Sequence, residues 1–565
     1  MNSLFLLITA AIAFVFGYRF YSKLVTGVVF RVDTKYSIAA TSSTPEATGG
    51  RPHRYLLMVQ HFGLVATAAT LSTAALATYW GWVPAFLWAV VGTALAAGIY
   101  SIGVLWLSAH HPDQSLGTVV KHYFQPRLWN GLLTLLLLLL VVTAALLALL
   151  SIRLLVNHPS VVIPFWLQVL LASGVGIFLQ YRSDKAILPA FAAGLILVVV
   201  LLLLFSAYSV GFSGAIYFDL GGRSRVTLDA DLAWIVLLAV YLYFAQRQRF
   251  AAMLRPRAGF AASLFLVLLL VFFIGVTLAH PVLIAPGFNP AGTSPTALPW
   301  LLVTISGGAL AGIYLLFAHQ FTAPALRTPA DCREVGYGAA ALEGLAAISA
   351  IVICSAGFAS TAEWNEFYLS WAALQDPTYL LELYINGFAY FASFVGIGVD
   401  FATDLAALAL LAMTVTSLEA VVQLLRTLFS EAGTSLGLPI QANGRGSLLV
   451  LLAAIVLITA GATGAEPSAL VPLYGDSNQL LAAFGMLLLV VALERRQLPG
   501  QLLLGLTLIV LPAILWAIGL QLGVWWGQAA WSLVLLSLLL FAFGLWILVE
   551  TAQILWKPAK TGGEA

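Results

Sequence analysis

The chain has 565 residues, of which 61% are hydrophobic and 8% charged, with a net charge of +2. A soluble domain carries about a quarter charged residues, so this composition excludes a soluble globular protein and makes the bilayer the solvent. The small charge gives no footprint for nucleic acid, and two cysteines, Cys332 and Cys354, are too few for a disulfide framework or a metal cluster.

A spanning helix needs roughly 20 apolar residues. Sixteen such windows follow in chain order, near 2–18, 56–78, 83–107, 131–155, 160–180, 186–210, 231–246, 258–280, 299–321, 337–357, 380–399, 402–425, 447–463, 478–493, 499–521 and 530–554. The first lacks a positive n-region and carries bulky Tyr18 and Phe20 where a cleavage motif needs small residues. It reads as a retained span, not a signal peptide. The stretch 31–54 is rich in Ser, Thr, Gly and Pro and reads as a linker. Residues 1–555 therefore read as one polytopic transmembrane domain with a short tail at 556–565. The expected fold is all-α, with about 15–16 transmembrane helices.

Lys and Arg concentrate in short loops that stay cytoplasmic. Lys23, Arg31, Lys35, Arg51 and Arg54 fall on the same side as Arg247, Arg249, Arg255 and Arg257, and as Arg327 and Arg333, if every window up to there crosses. That places the N-terminus outside, and the acidic 358–379 loop with it. Beyond residue 380 the alternation fails unless one window does not cross. The 380–399 window is the weaker, because it holds Glu382, Asn386, Gly387, Gly396 and Gly398. It is expected to be broken or re-entrant, which leaves fifteen crossings and a cytoplasmic C-terminus.

Ionised groups at mid-bilayer cost several kcal/mol or more, so they face a cavity, pair, or stay protonated. In 59–77, Gln60, His61, Thr67 and Thr70 sit among small residues; this fits a helix unwound around a ligand, or equally close helix packing. Gly307, Gly308 and Gly312 in 304–321 weaken their helix and carry the same two readings. Glu343 lies about one-third of the way into an apolar helix, as a proton carrier or ion partner, or as a fixed hydrogen-bond acceptor. Asp400 and Asp404, four apart, share a helix face and fit proton handling or a cation held between them. Glu419 and Arg426 are seven apart on one face and read as a structural pair. In 472–488, Asp476 reads as a helix cap, which leaves Ser477, Asn478 and Gln479 to be explained. No phosphate-binding loop, nucleophile elbow or metal-spaced His pair occurs. The pattern points away from an enzyme, no cofactor is expected, and His61 with His319 are slender support for haem.

Residues 51–117 ("RPHRYLLMVQHFGLVATAATL…HHPDQSLG"), 333–350 ("REVGYGAAALEGLAAISA"), 414–426 ("TVTSLEAVVQLLR") and 473–483 ("LYGDSNQLLAA") resemble the carbon starvation protein A (CstA) family of bacterial inner-membrane transporters. The similar core spans 51–495. The resemblance implies an inverted-repeat secondary-transporter core with broken helices, whose lead helices are the 56–78 and 299–321 windows. It implies cation-coupled, notably proton-coupled, uptake of peptides or a small carboxylate such as pyruvate, linked to carbon starvation. Glu343, Arg426, Ser477, Asn478 and Gln479 match the family pattern. Elsewhere the chain departs from it. Gly-His-His-Phe becomes Val59, Gln60, His61 and Phe62, and a Gly-Pro break becomes Thr67 to Thr70. A His-Asp pair becomes Tyr100 and Ser101, Gly-Phe-His becomes Ile313, Tyr314 and Leu315, and an aspartate becomes Glu419. These losses leave a second expectation open, a transport-silent accessory subunit of a larger membrane complex.

Overall fold

The computed structural model describes residues 2–32, 52–180, 187–211, 216–219, 225–228, 230–247, 250–290, 295–305, 309–368, 370–371, 373–435, 445–464 and 469–556. Most of the 31–54 linker, the tail beyond Trp556, and Gly307 and Gly308 lie outside these residues. All sixteen apolar windows fall on helix. Ten helices are long and apolar enough to cross a membrane alone, and a bent pair supplies an eleventh. The count by length is below sixteen because some windows are shorter helices, Pro189–Phe205 and Ala230–Ala245 among them, and because one further window is interrupted midway. A two-stranded antiparallel hairpin, Ile216–Asp219 with Arg225–Leu228, is the one sheet among the described residues.

Burial separates centre from periphery. The apolar windows of Val399–Thr434 and Leu470–Arg495 are wholly buried, whereas those of Gln501–Gly527 and Trp531–Trp556 are 39% and 33% buried. The latter keep Leu508, Ile509, Leu535 and Leu539 exposed, as lipid-facing helices should.

Two helices are broken. Arg54–Val65 and Ala68–Trp80 meet at 66°. Ala66 and Thr67 are extended between them, and Thr67 closes a capping box with Thr70. No Gly or Pro is needed here: threonine hydroxyls satisfy the freed backbone donors. The second break separates Ala297–Thr304 from Ile313–Phe317. The two broken helices run in opposite directions. Trp80 at the end of the first donates its indole N–H to the Pro295 carbonyl at the start of the second. This is the inverted relation expected of the two lead helices.

Contacts sort the helix ends onto two faces. Asn2 bridges to Val282, Trp82 donates to Pro286, and Ile284 and Ala285 donate to Ser355, so these loops share one face with the N-terminus. Residues 114, 122, 319 and 495 share the opposite face, through His319 at Gln114 and Arg495 at the His122 carbonyl.

The 380–399 window forms one continuous helix, Pro377–Ser393, so it is not broken. Its contacts gather toward one face, however. Glu382 meets His158, Gly387 faces Ile353, and Phe391 lies against Gly275, all near helix ends at the N-terminal face. A tight turn with Gly396 at φ +85° follows, a conformation that favours glycine. Val399–Ser435 then runs to the opposite face, from Asp404 at Ser160 to Arg426 at the Gln246 carbonyl.

Candidate functional site

The two breaks meet at Glu343, which is 1% exposed on the helix Gly338–Ala356. One carboxylate oxygen accepts the Thr70 hydroxyl at 3.1 Å, and the other accepts the Tyr314 phenol. Thr70 stands in the first turn of the half-helix that restarts after the first break. Glu343 therefore sits beside a helix N-terminus, where the backbone dipole favours negative charge. Tyr314 opens the half-helix that restarts after the second break. A carboxyl group thus joins the two interruptions directly, which explains a glutamate in an otherwise apolar helix.

The surrounding bonds hold the broken backbones. At the first break, the Ser417 hydroxyl donates to the Leu64 carbonyl at 2.7 Å and the Ala68 N–H donates to Thr414 at 3.3 Å. At the second, the Ile313 N–H donates to the Asn478 side-chain oxygen at 2.9 Å, and Gln479 donates to the Leu310 carbonyl at 2.6 Å. Tyr100 donates to the Gly312 carbonyl and stacks on Tyr314 with centroids 6.5 Å apart. Gly312 admits this packing because a Cβ there would lie 2.1 Å from the Asn478 carbonyl oxygen. His61 is buried, bonds Thr322 through Nδ1 at 2.8 Å, and brings its ring within 6.2 Å of Tyr314.

Thr67, Thr70, His61, Glu343, Asn478 and Gln479 therefore converge on the breaks. Gln60 is buried near Gly259, its amide oxygen without a partner. Ser477 bonds its own helix, at the Leu473 carbonyl, which is a structural role. Asp400 is exposed and Asp404 half-buried in the first turns of their helix at the N-terminal face, with Asp404 accepting the Ser160 hydroxyl at 2.5 Å. They do not line the breaks.

Two pairings differ from expectation. Glu419 pairs with Arg257 at 3.1 Å, not with Arg426. Tyr241 bridges them, donating to Glu419 and accepting from Arg257 at 2.7 Å. Arg426 instead donates to the Gln246 carbonyl. Heptad spacing gave the right face but could not rank a partner from a distant helix. Asp476 is no cap either: its helix starts at Leu470, so the carboxyl lies a full turn and more inside.

Tyr100, Tyr314, Thr414, Ser417, Arg257 and Tyr241 make the contacts at these groups that sequence reasoning did not select as site candidates. The available signal was the clustering of family departures at Tyr100 and Tyr314, which stack in space.

A family model described as carbon starvation protein CstA matches residues 2–368. The chain belongs to the CstA family. Its relatives include the peptide transporter CstA of Mycobacterium tuberculosis, 27% identical over 62% of this chain and 46% of that one. The pyruvate/proton symporter BtsT of Escherichia coli K12 is 26% identical over 63% of this chain and 49% of that one. The chain spans about half the length of the curated relatives it matches. A mutant manganese transporter of Eremococcus coleocola, a crystal structure, covers 91% of this chain and 98% of its own at 13% identity and a TM-score of 0.47. The stretches resembling the CstA family at 414–426 and 473–483 lie beyond the residues matched by the family model.

Proposed function

We propose that this chain is a secondary active transporter that uses a proton gradient to take up peptides or a small carboxylate such as pyruvate. Family membership and the names of the relatives support the substrate classes. The observation that carries the reading is Glu343 joined to Thr70 and Tyr314, one from each broken helix. Protonation of that carboxyl changes what it accepts from the two hydroxyls. Proton binding is thereby tied to the relative position of the two breaks, which alternating access requires. We place the N-terminal face outside and the C-terminus in the cytoplasm of a bacterial inner membrane, because the basic loops collect on the opposite face.

Purified chain in liposomes, given an inward proton gradient, accumulates pyruvate or a labelled dipeptide. Glu343→Gln keeps a folded protein and abolishes accumulation. Undiminished gradient-driven uptake by that variant removes the coupling role.

A second reading, an accessory subunit of a larger membrane complex, is favoured by one feature. The backbone groups freed at the breaks are met from within the chain, by Thr414, Ser417, Asn478 and Gln479. Gentle purification from native membranes separates the two: a stoichiometric partner and no uptake favour the subunit.

A further inference from the structure

The helix Leu470–Arg495 carries Asp476 in its interior, 0% exposed. Neither carboxyl oxygen has a hydrogen-bond partner. One turn further on the same face, Gln479 gives its amide N–H to Leu310, which fixes the orientation of the amide. Its oxygen is left buried and without a partner as well. Among the described residues these three acceptor oxygens on one helix face receive no hydrogen bond; the buried Asn478 amide NH2, also without a partner, is two residues on from Asp476 and points to another face.

Titratable groups from the packed elements do not fill that need. Tyr100, from the Trp82–Ala109 span, gives its proton to Gly312. Tyr314 gives its own to Glu343. The Trp531–Trp556 helix packs Gly544 against Leu480, and its Glu550 lies six residues beyond that contact. On the same helix, Tyr474 precedes Asp476 by two residues and so points elsewhere. An ionised carboxylate cut off from water and from any counter-charge is strongly disfavoured in such a place.

We propose that Asp476 is a second proton-carrying carboxyl, distinct from Glu343, and that it holds its proton in the arrangement described above. Its place in transport rests on the transporter reading above; its protonation does not. The step is a simple protonation: one proton adds to a carboxylate oxygen, a neutral acid results, and nothing is oxidised. The new O–H turns an acceptor-only face into one that can donate, with the Gln479 oxygen as an unfilled acceptor. The neighbours on this helix, Asn478 and Gln479, hold Ile313 and Leu310 at the second break. Loss of the proton places a bare charge one turn from the Gln479–Leu310 bond and loosens it. A small void lined by Thr73, Thr304, Gln375 and Gly475 reaches the residue before Asp476 and offers room for about one water as an entry.

The test is infrared spectroscopy of the full chain in lipid. A protonated-carboxyl carbonyl band persists above neutral pH, disappears in Asp476→Asn and remains in Glu343→Gln. Isotope labelling of aspartate alone shifts the band on the unsubstituted chain, which sets it apart from the glutamates. A spectrum without that aspartate band overturns the proposal, and so does a band abolished by sodium, which assigns the site to a metal cation. In liposomes, Asp476→Asn lowers the protons moved per substrate by one. A wild-type chain that transports nothing defeats the transporter reading and leaves the band result standing. An Asp476→Asn protein with the wild-type ratio defeats the coupling role.

Discussion

Glu419 and Arg257 bear on how single residues should be read. Both side chains are nearly fully buried, and Tyr241 completes their bonding. Such a pair contributes little net stability, but removing one partner leaves a charge uncompensated at a cost of about 3–5 kcal/mol. Arg257→Met is therefore expected to lower the unfolding temperature in detergent sharply, and Arg257→Met with Glu419→Leu to recover most of it. Equal losses in the single and double variants would refute the pair. Glu343 differs, because it accepts from two neutral hydroxyls, those of Thr70 and Tyr314. Tyr314→Phe removes one of them at a cost of about 2 kcal/mol. The sequence made Glu343 conspicuous by its apolar neighbours. It could not make Tyr314 conspicuous, since a tyrosine in a membrane helix is ordinary until its hydroxyl meets a carboxylate.

At the scale of elements, the two breaks arise from different chemistry. Thr67 and Thr70 cap the first without glycine or proline. The second depends on Gly312, whose missing side chain lets the backbone touch Asn478. Gly312→Ala drives a methyl group into that carbonyl and is expected to destabilise by about 1–3 kcal/mol. The measurement is thermal unfolding of the purified chain, and a neutral result means that the helices slide apart at no cost. The windows flagged by Thr67, Thr70 and the glycine cluster were the ones that break. Whether they broke or merely packed closely was not decidable from composition, because small residues serve both ends. Asp400 and Asp404 share one face, as their spacing gave, and the start of their helix, which no spacing reveals, put them at the face that carries the N-terminus.

For the whole molecule, the contacts give a topology that chemistry can check. The two cysteines, Cys332 and Cys354, are free and buried, so they give little labelling background. Tyr390→Cys should label only from the face that carries the N-terminus. Lys121→Cys and Gln497→Cys should label only from the other, because Arg495 holds the His122 carbonyl there. Labelling of position 390 from the same side as 121 would place Pro377–Ser393 across the membrane and undo the parity. The sequence by itself determined the solvent and the helical class, because these follow from hydropathy summed along the chain. Tertiary structure alone decided the partners of Glu343, Glu419 and Asp476. A buried charge is compensated, or left bare, by groups hundreds of residues away, and no local pattern encodes which helix face arrives opposite it.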